Sequence, residues 1–193
     1  MNIGMVDAYI PGTAMRRETM GEVTGRDFLD KVFFITDGIM LSQIREITGL
    51  DSSTLQNWVK RGWVGNAVQK KYSKNQLARI LIINMIRESM QLERIDFLLK
   101  YINGHINCEE DDIIPEARLY DMICRITDRI TTDEAQSDRD LNRLIEEETA
   151  DYEEKVSGAR RRLCKALEII VCAYYATLLR SHANKLYDRI RKV

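Results

Sequence analysis

The chain has 193 residues, 45% apolar and 31% charged, enough for one or two globular domains with a real core, which excludes a disordered or fibrous chain. Its net charge of −1 hides a sharp segregation: residues 41–104 carry ten basic and five acidic side chains, 105–154 five and seventeen, and 155–193 ten and two. The longest apolar run, Ala166 to Leu179, has 14 residues and contains Glu168; a membrane span needs roughly 18–20, and no charged leader with an apolar core opens the chain, so a cytoplasmic protein with no membrane contact is expected.

Residues 1–37 read as an N-terminal arm and a short helix. The arm, Met1 to Val23, lacks sustained periodicity and turns at Pro11-Gly12, so it is expected to be flexible or loosely docked. Thr24 can cap a helix from Gly25 to Phe34, which Asp37-Gly38 breaks. Residues 38–104 form the next unit. Ser42 is the expected cap of a helix closed by Gly49, and Asp51 caps a second from Ser52 to Arg61, with Leu55, Trp58 and Val59 facing inward. Trp63-Val64 and Val68–Tyr72 alternate like two short strands joined around Gly65-Asn66, which predicts a hairpin over 63–72. Ser73-x-x-Gln76 is a capping box opening a helix over Lys74–Ser89, and a further helix runs from Leu92 to Ile102, closed by Gly104. Asn84, set within the apolar helix, is expected to satisfy nearby backbone.

Residues 105–193 read as an all-helical C-terminal domain for dimerisation or regulation. Pro115 starts a helix over Glu116–Ile130, Thr131-Thr132 interrupts it, and a polar helix resumes over Asp138–Glu154. Beyond Gly158, Arg160–Ile190 is one long helix, apolar nearly all round between Ala166 and Leu179 and therefore covered on more than one side. The fold class is thus mainly α: a winged helix-turn-helix domain with a small β-hairpin wing, followed by a helical C-terminal domain.

Catalytic and metal signals are weak. Cys108, Cys124, Cys164 and Cys172 form no C-x-x-C pair, and His105 and His182 have no visible partners, so no zinc site, cofactor or catalytic residue is expected. The acidic runs Glu109–Asp112 and Glu146–Glu148 read as solvated surface, and no Gly-rich phosphate loop is present.

The strongest constellation is a DNA-reading face. A helix in the major groove needs short or planar polar side chains outward, and Gln56 and Asn57 can each bond an adenine edge bidentately. Ser53 and Thr54 sit at the helix N-terminus, Lys60 and Arg61 at its far end for phosphates, and Gln69, Lys70, Lys71 and Tyr72 lie along the hairpin for the backbone. Trp58 and Trp63 are assigned to the core, where aromatic residues bury large area. The reading is a sequence-specific DNA-binding transcriptional regulator with double-stranded DNA as partner.

The segments REITGLDSSTLQNWVKRGWV and KKYSKNQLARILIINMIRESMQLERIDFLL resemble the DNA-binding domain of the MerR superfamily. Gly49, Gly62, Tyr72-Ser73, Leu77 and Leu92-Glu93-Arg94-Ile95 stand where that family has its turn glycines, its Tyr-Ser pair and its L-x-x-I helix. The wording WVKRGWV and LIINMI is closer still to an uncharacterised bacterial family, a domain of unknown function classed as MerR-like. The resemblance implies a winged helix-turn-helix and a homodimer formed through a C-terminal helix, here 160–190. Gln56 replaces the usual arginine of the recognition helix, Lys71 stands in for the arginine before the wing tyrosine, and no cysteine occupies the metal-sensing place, so promoter untwisting and metal sensing are not implied. The competing readings are a protein–protein adaptor that keeps the fold without binding DNA, motivated by the acidic block at 105–154, and a C-terminal domain that takes a small-molecule effector or carries an activity, motivated by the long apolar helix.

Overall fold

The computed structural model describes residues 9–20, 23, 25–106, 111–130 and 138–191; Thr24, Cys108, Glu109-Glu110 and Thr131-Thr132 lie outside the described residues. The described chain is mainly α. Helices α1 (Gly25–Val32), α2 (Leu41–Thr48), α3 (Ser52–Lys60), α4 (Lys74–Ile86), α5 (Leu92–Asn103), α6 (Glu116–Arg129), α7 (Asp138–Glu148) and α8 (Ala159–Arg191) are joined by one two-stranded antiparallel ribbon, β1 (Ile39–Met40) with β2 (Lys71–Tyr72).

Helix boundaries follow local chemistry. Asp51 caps α3 by accepting the Thr54 amide, and Ser73 accepts the Gln76 amide while the Gln76 side chain accepts that of Ser73, so the capping box forms. Gly49 adopts φ 70° and donates its amide to Arg45, turning the chain between α2 and α3. At α2 the expectation is corrected: the helix begins at Leu41, the Gln43 side chain accepts the Met40 amide, and Ser42 lies exposed inside the first turn. α7 stops at Glu148, short of the expected Glu154: the Ala150 and Tyr152 amides turn back to the carbonyls three residues earlier, Glu147 and Thr149, and the buried Tyr152 donates its hydroxyl to Ile113.

The ribbon departs from the expected 63–72 hairpin. The Trp63 and Val64 amides both bond back to the Trp58 carbonyl, so neither is free to join a ladder. Only Lys71-Tyr72 is strand, and it pairs across a long stretch of sequence, Ile39 with Tyr72 and Met40 with Lys71. Ile39 and Tyr72 face the core while Met40 and Lys71 face solvent, as the pleat requires. The tight turn lies at Val68–Lys71, with reciprocal backbone bonds of 2.9 Å and with Gln69 and Lys70 at φ 49° and 64°. Positive φ at both central residues matches the twist of a two-residue hairpin.

α4 is the organising helix. Nine of its residues are buried, and it packs against α2, α5, α6 and α8; α1 leans on α6, and α7 packs against both α6 and α8. One continuous core runs from Ile10 to Tyr174 and crosses residue 104. The arm is firmly docked over residues 9–20, contrary to expectation: Ile10 is buried, the Pro11 carbonyl accepts the Tyr120 hydroxyl at 2.7 Å, and Ala14 donates to Ile47. Gly12 sits so close to the Leu81 carbonyl that a β-carbon would overlap it. Asn84 donates its amide to the carbonyls of Gly12 and Thr48, tying arm, α2 and α4 together.

Candidate nucleic-acid interface

α3 has two faces set by its 3.6-residue period. Leu55 and Trp58 are buried, whereas Ser53, Gln56, Asn57 and Lys60, at steps of three and four, are exposed along one line. Trp63, whose amide donates to the Trp58 carbonyl, is also buried, so both indoles serve the core. This anchoring holds the outward amides of Gln56 and Asn57 on a fixed scaffold.

The two ends of α3 are more committed than the sequence reading allowed. At the N-terminus Ser53 and Thr54 donate their hydroxyls to Asp51, which leaves only their oxygens to accept from a ligand. The hydrogen bonds from Ser53 and Thr54 hold the Asp51 carboxyl down at about 2. A fixed anion thus stands where the helix dipole would otherwise attract phosphate. At the other end Arg61 lies 3.6 Å from Glu93 and 5.1 Å from the Trp63 ring. Lys60 has no acidic partner among the described residues.

On the ribbon, Gln69, Lys70 and Lys71 are exposed at and beside the turn, and neither lysine has an acidic partner among the described residues. Tyr72 is turned inward, and burial raises its phenol. Its ring belongs to the core beside Ile39.

Arg79 was missed in the sequence, although a single cation amid Leu77, Ala78, Ile80 and Leu81 is a visible anomaly. It is 2% exposed; its Nε donates to the Trp63 carbonyl at 2.6 Å, Nη1 bonds Glu116, and Nη2 lies 3.9 Å from Asp96. It therefore locks the segment that leaves α3 to α5 and to the first turn of α6. Gln76 adds a second tie by donating to the Asn66 carbonyl.

Elsewhere, burial pushes the Cys124 thiol far up, which removes thiolate chemistry there. Among the described residues no group of three or more His, Cys, Asp or Glu side chains is arranged to hold a metal ion, and no helix is long and apolar enough to cross a membrane.

A family model described as Domain of unknown function (DUF1836) matches residues 27–123. The chain belongs to the DUF1836 family. The matched stretch runs from α1 through part of α6 and takes in α4 with α2 and α5, but not α8. This DUF1836 chain is also similar to Uncharacterized protein YkrK of Bacillus subtilis (strain 168), 30% identical over 117 residues, which cover 58% of the chain and 50% of that protein. The match thus spans about half the length of that relative. No solved structure matches the chain.

Proposed function

We propose that this DUF1836 protein is a sequence-specific DNA-binding transcriptional regulator of MerR-like type, with α3 in the major groove and the Val68–Lys71 turn on the backbone. The observation that carries the reading is the exposed line Gln56, Asn57 and Lys60 on a helix anchored by Leu55 and Trp58, flanked by Lys70 and Lys71, which have no acidic partner among the described residues. The amides supply base readout and the lysines neutralise phosphates. The basic balance of 41–104 and the acidic balance of 105–154 orient the molecule in the field of a duplex.

Selection of fragments from a bacterial genome, followed by titration against salt, tests it. Asn57→Ala should lose about 1–3 kcal/mol of discrimination at one base pair. Lys70→Ala should weaken all sequences alike and lower the salt slope by about one. Absence of any salt-dependent binding at low ionic strength overturns the proposal. A protein–protein adaptor is the second reading, favoured by the ionised Asp51 at one end of α3 and the Glu93-bound Arg61 at the other. It predicts one stoichiometric protein partner and no retention on DNA.

A further inference from the structure

The end of α1 leaves an apolar corner in water. Phe33 packs against the core, whereas Phe34 and Ile35 are 85% and 89% exposed, the two most exposed large apolar side chains among the described residues. Adjacent large apolar side chains left open in this way mark a surface that meets a partner. The corner is joined to the ribbon. The Thr36 hydroxyl donates to the Gly38 carbonyl at 2.7 Å, and Gly38 lies so close to Lys71 that a β-carbon would crowd its side chain. Ile35 is three residues from Gly38 and so stands within roughly 11 Å of it. Lys74, at the start of α4, bonds Asp30 of α1. Two more exposed apolar side chains border Lys71: Met40, its strand partner, and Val68, bonded to it across the turn. Lys31, Lys70 and Lys71 are exposed at this corner with no acidic partner among the described residues.

We propose that this corner is a second DNA contact, laid along the minor groove beside the major-groove site of α3. The inference rests on the DNA-binding reading above, and it adds a contact outside residues 41–102, where the MerR resemblance lies. Composition selects the occupant. Side chains that work in the minor groove combine apolar wedges with Lys and Gln, and the corner offers Phe34 and Ile35 beside Gln69, Lys70 and Lys71. The groove is about 6 Å wide, which admits single side chains and a two-residue turn but no helix, and the Val68–Lys71 turn is of that kind. The lysines complement the phosphates along its rims. Asp30 is neutralised by Lys74, which leaves the exposed Asp37 as the carboxylate that opposes the contact. A preference among base pairs follows. Guanine places an amino donor on the floor of the minor groove, and Phe34 or Ile35 would cover that donor without pairing it. An A·T pair lacks it, and its acceptors meet the donors of Gln69 and the lysines.

The test uses the full chain and a DNA fragment selected by the wild-type protein. Replacing A·T by G·C pairs in the flank beside the α3 site should weaken wild-type binding by about tenfold or more. Phe34→Ser with Ile35→Ser should bind both fragments alike, at the wild-type G·C level, and should lose hydroxyl-radical protection of the flanking minor groove. Its melting temperature and its discrimination at the Asn57 base pair should match wild type, because both replaced side chains are exposed. Asp37→Asn should tighten binding to both fragments. If the wild-type protein binds DNA and the double variant keeps its affinity and flank preference, the corner contact is overturned and the α3 reading stands. A wild-type protein with no DNA binding overturns both. Retention of wild type, but not of the double variant, on phosphatidylserine–phosphatidylcholine vesicles, with equal DNA binding by the two, assigns the corner to a lipid surface and overturns the contact.

Discussion

Arg79 is the side chain whose loss the fold should tolerate least. Its guanidinium faces the half-buried Glu116 and Asp96 and holds the Trp63 carbonyl. Arg79→Ala strands buried charge and should lower the unfolding free energy by about 3–5 kcal/mol, read by urea titration. Arg79→Ala with Glu116→Gln should recover part of it, because one of the stranded anions is gone. Asp51 acts at the opposite extreme of exposure, and its effect is legible in pH. Its carboxyl is held at about 2 in the fold against an ordinary 3.8. Stability from the ionised form is therefore fully present above the ordinary value and is lost as pH falls through about 2. The difference in melting temperature between wild type and Asp51→Ala should be constant at neutral pH and should shrink across that window. A difference that persisted unchanged into strong acid would show that the carboxylate is not the source. Asp51 was legible as a cap from its place before an amphipathic run. Arg79 was present as an anomaly in the apolar helix, but its partners lie 16 to 37 residues away, beyond any local pattern.

Elements that depend on neighbours in sequence came out close to expectation. α3, α4, α5 and α8 have caps or closing glycines within a turn of their ends, and each lies within about one turn of its sequence-derived span. The ribbon did not, because its hydrogen bonds join residues 39–40 to 71–72 and no short-range pattern announces such a pairing. Gly65-Asn66 has the composition of a hairpin turn, but the turn is made by Gln69 and Lys70, two ordinary side chains at positive φ. Such residues carry a steric cost of about 1–2 kcal/mol each. Gln69→Val should accordingly lower stability by about 1–2 kcal/mol, whereas Gln69→Asn should be neutral or stabilising, since asparagine tolerates the left-handed region. Equal melting temperatures for the two variants would count against the turn geometry.

At the scale of the molecule the segments separated by charge share one interior. The core passes through residue 104, with α4 gripping α6 and α8, and the matched family stretch also crosses that point. Unfolding should therefore be a single transition. Fluorescence from Trp58 and Trp63, the only tryptophans, reports the first half, and far-ultraviolet circular dichroism reports helices throughout; their denaturant midpoints should coincide. Separate midpoints would mean two independently folding units.

The chain's own pattern determined that the protein is mainly helical, where most helices begin and end, and that α3 turns Gln56 and Asn57 outward while Leu55 and Trp58 turn in. Caps, turn glycines and apolar periodicity act over four residues or fewer, so they are written locally. Tertiary structure alone decided that β1 seeks β2, that residues 9–20 dock on α4 and α6, that Arg79 is buried, and which side of α8 the body covers. Periodicity states which positions tend to leave water; only the packed fold states what covers them, and on α8 it covers Leu163, Ala166, Leu167, Ile170, Val171 and Tyr174 while Ile169, Cys172, Ala176 and Leu179 stay exposed.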